Sequence, residues 1–233
     1  MVPLLLKLKP AEYNTYVEPF AGGLSFFAAL DPARVEVVND LDHNVTNFYE
    51  VLRGDDRERL LDALAVTPFS RKDLNEAIKN LSATCDPFTR AWSWFVAVQF
   101  SYLKKMGGGY AWAHRSNQPQ RYRNVISRLP AFAHRLLDAH IECDTALRII
   151  ERYDEKGTFF FLDPPYPQTD QGQYGGYTQA DLEQLVKRLT TVDAQFLLCC
   201  YALTKKSEAS RDRAERIEVV WRKVHAESQG RLF

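Results

Sequence analysis

TFFFLDPPYPQ, residues 158–168, starts as five residues of strand material and ends in an aspartate, two prolines and a tyrosine. A continuous run of this kind suits a strand buried on both faces, as in a parallel sheet. Such a strand gains nothing from a terminal charge followed by two residues that cannot donate backbone hydrogen bonds. A ligand gives the arrangement a use. The Asp163 carboxylate and the Pro164 carbonyl both accept hydrogen bonds, and the stiff turn through Pro165 removes competing donors. Two acceptors aimed at one spot grip an exocyclic amino group, and Tyr166 offers a face on which a planar ring can stack.

Working outward, the chain alternates strand and helix patterns. NTYVEPFAGG (14–23) reads as a strand entering a glycine turn, and LSFFAAL (24–30) as a short helix stopped by Asp31-Pro32. VEVVND (35–40) is a second strand. DHNVTNFYEVLR (42–53) has Val45, Phe48, Tyr49 and Leu52 at helical spacing with Asp42 as N-cap. The rhythm returns with HIECD (140–144), TALRIIERY (145–153), TFFFLD and TQADLEQLVKRL (178–189), where Thr178 and Asp181 form a capping-box pattern. QFLLCCY (195–201) and RIEVVWRKVHA (216–226) are two further strands. Between them, 70–81 and 86–103 look helical and KKMGGGYAWAHRSNQPQRYRN (104–124) looks loop-like. The expected architecture is a doubly wound α/β domain, 1–53 with 139–233, and a mostly helical insertion at 54–138.

With 233 residues, 45% of them hydrophobic, the chain can build one α/β domain with an insertion. No apolar run reaches the length of a transmembrane helix, and no signal peptide is expected. Cys85, Cys143, Cys199 and Cys200 show no metal-ligand spacing, so reduced core thiols, no metal and a cytoplasmic location are expected.

Net charge is zero, but its distribution is uneven. Residues 87–137 contain no Asp or Glu and eight basic side chains: Arg90, Lys104, Lys105, Arg115, Arg121, Arg123, Arg128 and Arg135. The remainder holds 22 basic and 30 acidic residues, a net of −8. A cationic segment on an acidic body is the footprint of a polyanion-binding module. Tyr110, Trp112, Arg115, Arg121 and Arg123 are its candidates for nucleic-acid contact. Lys104 and Lys105 fit either a phosphate contact or a solvated helix end. Trp92 and Trp94 read better as the core of a helix.

In open α/β sheets ligands bind at the carboxyl ends of the strands. Those ends hold Glu18-Pro19-Phe20-Ala21-Gly22-Gly23, Asp40, Asp144 and Asp163. The glycine turn lets backbone approach a ligand, but it is not the GxGxxG of dinucleotide folds. Asp40, about 20 residues on, suits a ribose diol. A nucleoside cofactor without pyrophosphate is expected.

DPPY, preceded in order by YVEPFAGG, VVNDLD and a helical insert, resembles the Dam-type S-adenosylmethionine-dependent DNA adenine-N6 methyltransferases, restriction-modification enzymes among them. The resemblance covers nearly the whole chain. It implies a Rossmann-like methyltransferase sheet with S-adenosylmethionine as cofactor and duplex DNA as partner. It implies that Glu18, Pro19, Phe20, Ala21, Gly22 and Gly23 wrap the methionine part. Asp40 would bind the ribose, Leu41 would lie against the cofactor adenine, and Asp144 would reach its amino group. Asp163, Pro164, Pro165 and Tyr166 would hold a target adenine flipped out of the duplex.

Two alternatives stand beside this: an RNA adenine-N6 methyltransferase, and a non-catalytic DNA-binding remnant. The second arises because the resemblance implies a KWxGGK-like motif ahead of the first strand, where the chain has MVPLLLKLKPAEYNTYVEPF, and because GRLF resembles only the first half of a final strand. Cofactor affinity is then expected to suffer.

Overall fold

A computed structural model describes residues 2–83, 86–102, 109–112, 116–166, 176–201 and 218–223. The chain divides into two compact units, Met1–Leu41 with Asp144–Phe233, and Asp42–Cys143.

The first unit holds helix α1 (Val2–Leu8), strand β1 (Thr15–Glu18), a 3-10 turn (Phe27–Ala29) and β2 (Val35–Asn39). After the second unit it continues with α8 (Ala146–Tyr153), β4 (Thr158–Leu162), α9 (Gln179–Leu189), β5 (Gln195–Tyr201) and β6 (Glu218–Lys223). The strands of this unit lie in the order β2-β1-β4-β5-β6. β1 pairs in parallel with β2 and β4, and β4 with β5, while β6 is antiparallel to β5.

β4 is central, and all five of its residues are buried. Alternation sends Phe160 and Leu162 to one face. There they join Val17, Val37, Leu198, Ile149 and Ile150 of α8 and Leu182, Leu185 and Leu189 of α9. Phe159 and Phe161 point the other way. The Phe159 ring lies 5.8 Å from Tyr16, and Phe161 lies 4.3 Å from Phe26. Two covered faces explain why this strand is apolar from Phe159 to Leu162 rather than alternating. α9 starts with the expected capping box: Thr178 Oγ1 accepts from Asp181 N at 3.2 Å and Asp181 Oδ2 accepts from Thr178 N at 2.7 Å.

The second unit is built from α2 (His43–Arg53), α3 (Arg57–Val66), α4 (Arg71–Ala83), α5 (Pro87–Phe100), α6 (Gln118–Ile126) and α7 (Leu129–Arg135), with a short strand β3 (His140–Glu142). Asp42 caps α2 by accepting from Asn44 N, as its sequence position suggests. Trp94 packs 5.2 Å from Phe48, and Trp92 Nε1 donates to Thr67 Oγ1 at 2.9 Å, so both tryptophans serve the packing of this unit.

Three expectations are corrected. The helix read at 24–30 is only the three-residue 3-10 turn Phe27–Ala29. The segment is too short to sustain an α-helix, and burial of Leu24, Phe26 and Phe27 sets its path. The loop read at 104–124 contains the start of α6. Asn117 caps it by accepting from Gln120 N at 3.0 Å, and Pro119 sits in the first turn, where a missing N–H costs nothing. Cys199 is buried in β5, but Cys143 is exposed, so the core-thiol reading fails for Cys143. Cys85 and the side chain of Cys200 lie outside the described residues. Among the described residues no helix is long and apolar enough to cross a membrane.

Candidate active site at the carboxyl edge of the sheet

Parallel pairing of β1 with β2 and β4 brings their carboxyl ends to one edge. Glu18 ends β1, Asn39 ends β2 with Asp40 next, and Asp163 follows β4. The β1–β4 register sets Tyr16 against Phe159. The same alternation carries Glu18 and Asp163 to the side occupied by Tyr16, Phe159 and Phe161.

The loop after β1 is held from β2. Ala21 N donates to the Asn39 carbonyl at 2.7 Å, and Gly22 N donates to Asp40 Oδ2 at 2.9 Å. Gly22 adopts φ +46, in the left-handed region, with open space where a Cβ would stand. Leu24 takes a similar φ of 49 without being glycine, a conformation held by burial of its side chain. Phe20 meets Tyr177 edge-on with ring centroids 5.9 Å apart. Glu18 differs from the rest of the loop. Its side chain is buried and accepts from Tyr16 Oη at 2.5 Å. Burial pushes its carboxyl up to about 8 against the opposing pull of the Tyr16 hydrogen bond, and the nearby Asp163 carboxylate adds to the rise.

Asp144 accepts from Thr145 N at 2.7 Å and pairs with Arg148 and Arg152, each at 3.4 Å. The Thr145 N–H, helped by the two arginines, holds its carboxyl below the ordinary aspartate value. Leu41 is 66% exposed. After β4, Pro164 is buried and Pro165 and Tyr166 are half-buried, while Asp163 is exposed. Tyr166 Oη donates to Asp163 Oδ1 at 2.8 Å, so the aromatic ring and the carboxylate of the DPPY stretch are tied together.

The donor set fits a nucleoside-type cofactor. Carboxylates at Asp40 and Asp144 suit hydroxyl and amino groups, and the glycine turn leaves room for close approach. Tyr177 Oη, beside Phe20, is buried and has no hydrogen-bond partner among the described residues, a polar group for which a ligand could supply one. Among the described residues no group of three His, Cys, Asp or Glu side chains is placed to hold a metal ion.

In the second unit, Arg71, Tyr102, Gly109, Tyr110 and Trp112 line an open cavity of about 450 Å³. Trp112 is 62% and Tyr102 57% exposed. Tyr110 is anchored: its hydroxyl donates to the Phe69 carbonyl at 3.0 Å, and the Arg71 guanidinium lies 5.0 Å from its ring centroid. Arg121 and Arg123 are exposed on α6 rather than in the loop the sequence suggested. Lys104, Lys105 and Arg115 lie outside the described residues. Arg71 and Tyr102 were not legible as part of this surface. Arg71 precedes the acid-free segment, and Tyr102 reads as the end of a helix.

A curated type II methyltransferase, M1.LlaDCHI of Lactococcus lactis subsp. cremoris, is 25% identical over 197 residues. The match covers 76% of this chain and 66% of that protein, so the chain spans just under two thirds of its relative's length. The rRNA methyltransferase aviRa from Streptomyces viridochromogenes covers 94% of this chain and 81% of its own at 14% identity and a TM-score of 0.37, a likeness that fixes neither fold nor substrate. Residues 1–227 match the family described as D12 class N6 adenine-specific DNA methyltransferase, and with that match spanning all but the last few residues, the chain belongs to this family.

Proposed function

We propose that the protein transfers a methyl group from S-adenosylmethionine to the N6 amine of an adenine in duplex DNA. The observation that carries this reading is Asp163. It is an exposed carboxylate at the end of a fully buried strand, tied to the Tyr166 hydroxyl and followed by a buried proline. It shares the sheet edge with the Asp40–Gly22 contact.

The glycine loop, Asp40, Leu41 and Asp144 would hold the cofactor, with Asp40 accepting from ribose hydroxyls and Asp144 from the adenine amine. When bound, the cofactor supplies a methyl group on positively charged sulfur. A target adenine, extruded from the duplex, would stack on Tyr166 and donate its amine hydrogens to Asp163 and the Pro164 carbonyl. An ionised carboxylate has roughly four lone-pair sites, so the bond from Tyr166 leaves Asp163 able to accept from the amine. Those bonds would draw the nitrogen lone pair out of conjugation with the ring and stabilise the positive charge that develops on it as the nitrogen–methyl bond forms and the methyl–sulfur bond breaks, with the neutral thioether as leaving group and one amine proton released afterwards to solvent. Orientation supplies the rest. Trp112 and Tyr102 would offer stacking surface and Arg71, Arg121 and Arg123 positive charge to the nucleic acid, joined by Lys104, Lys105 and Arg115.

Labelled cofactor incubated with duplex DNA, single-stranded DNA and RNA tests the reading. The expected product is N6-methyladenine in duplex DNA, identified after digestion by mass spectrometry. Label confined to RNA, label on cytosine, or no transfer to any substrate overturns it.

A further inference from the structure

We propose that Asn39 is the positioning residue of the cofactor pocket: its side-chain amide ties the backbone of the glycine loop to the backbone at Asp144 and so sets the spacing of the two loops that would face the nucleoside. The inference rests on the cofactor reading given above.

Asn39 is 1% exposed, and its amide makes three bonds. Nδ2 donates to the Pro19 carbonyl at 2.9 Å and to the Asp144 carbonyl at 2.9 Å. Oδ1 accepts from Asp144 N at 2.9 Å. One donor and two acceptors surround the group, which forces the amide orientation without ambiguity. Both N–H groups and the carbonyl are therefore used, a complete match of a buried amide to its partners. The Asn39 main chain adds a fourth bond, from Ala21 N to its carbonyl.

A buried asparagine that merely closed its own turn would bond within a few residues. Here the partners lie 20 residues earlier and 105 residues later. Each belongs to a loop that carries a candidate cofactor group: Pro19 begins the turn at Gly22, and Asp144 is itself a candidate. Asp40, the next residue, binds Gly22 N. No other side chain of this size can supply two donors and one acceptor in that arrangement. Aspartate has the shape but no donors when ionised, and alanine has neither.

The test uses the whole protein with S-adenosylhomocysteine as probe. Asn39→Asp keeps the shape and sets a carboxylate against two carbonyl oxygens, and Asn39→Ala removes the amide without adding charge. Asn47→Asp is the matched control, since Asn47 is also buried and its Nδ2 donates to the Pro87 carbonyl at 2.9 Å in the second unit. Calorimetric titration well below the melting temperature should show the dissociation constant rising tenfold or more for both Asn39 variants and staying within two-fold for Asn47→Asp. Hydrogen exchange without ligand should speed up at Ala21, Gly22 and Asp144, and leave Phe160 in β4 protected. The inference is overturned if the Asn39 variants bind within two-fold of wild type. It is equally overturned if Asn47→Asp weakens binding as much at an equal loss of melting temperature, because the effect is then general destabilisation. Wild-type protein that gives no heat at millimolar ligand overturns the cofactor reading and this inference together; normal wild-type binding matched by the variants overturns this inference alone.

Discussion

The Tyr16 hydroxyl donates to the Glu18 carboxyl at 2.5 Å, between two buried side chains on the same face of β1. The carboxyl sits where water cannot solvate its charge, with Asp163 as a like-charged neighbour, and so titrates near 8.

A folded-state value raised from 4.5 to about 8 means the native protein binds a proton that the unfolded chain has already released. Stability contributed by Glu18 is therefore full below about pH 4.5, falls as pH rises, and is lost above about pH 8. At about 1.4 kcal/mol per unit the total is on the order of a few kcal/mol. Glu18→Gln cannot ionise, so its stability should vary less across that window and exceed wild type at pH 9. Guanidinium midpoints at pH 5, 7 and 9 check this; parallel profiles for the two proteins would refute it.

Asp163 and Asp40 should separate chemistry from binding. Asp163→Ala removes the charged acceptor at the proposed target amine and should lower methyl transfer by about 3 kcal/mol, roughly 10²-fold, with S-adenosylhomocysteine affinity within a few-fold. Asp40→Ala frees Gly22 N and the proposed ribose contact, so cofactor affinity should fall first, by about tenfold or 1.4 kcal/mol. Rates at saturating cofactor beside calorimetric affinities read the split. Wild-type turnover from Asp163→Ala contradicts the assignment.

Phe160 stands at the centre of the packed face between α8, α9 and the sheet, fully buried. Phe160→Ala should destabilise the protein by about 3–5 kcal/mol, because it loses transfer energy and leaves a cavity. A loss under about 1 kcal/mol in denaturant unfolding would mean the site collapses or the packing differs.

Replacing Arg121 and Arg123 together with Gln should flatten the slope of log affinity against log salt by up to about 2, near 0.9 for each phosphate that is no longer neutralised. Trp112→Ala should instead weaken binding by about 1–3 kcal/mol with little change in slope, since stacking releases no counterions. Fluorescence anisotropy on labelled duplexes over a salt series distinguishes them. If all three side chains only face solvent, neither affinity nor slope will move.

The local chemistry of this protein was determined by sequence alone. TFFFL reads as a strand covered on both sides because four consecutive large apolar residues, Phe159 to Leu162, leave neither face for water, and DPPY reads as its end. Thr178 with Asp181, and Asp42 ahead of α2, specify helix starts through bonds spanning two or three residues. α6 is hidden in the sequence because its first-turn proline also serves as a turn signal, and the short turn at Phe27–Ala29 is hidden because aromatic burial overrides a helical pattern. The tertiary structure decided what depends on distant partners. Asn39 meets Asp144 across 105 residues, which no periodicity encodes. Glu18 reads as one more acid at a strand end. Only its burial beside Tyr16 and Asp163 makes it a carboxyl that keeps its proton at neutral pH, because the cost of a charge is set by what surrounds it.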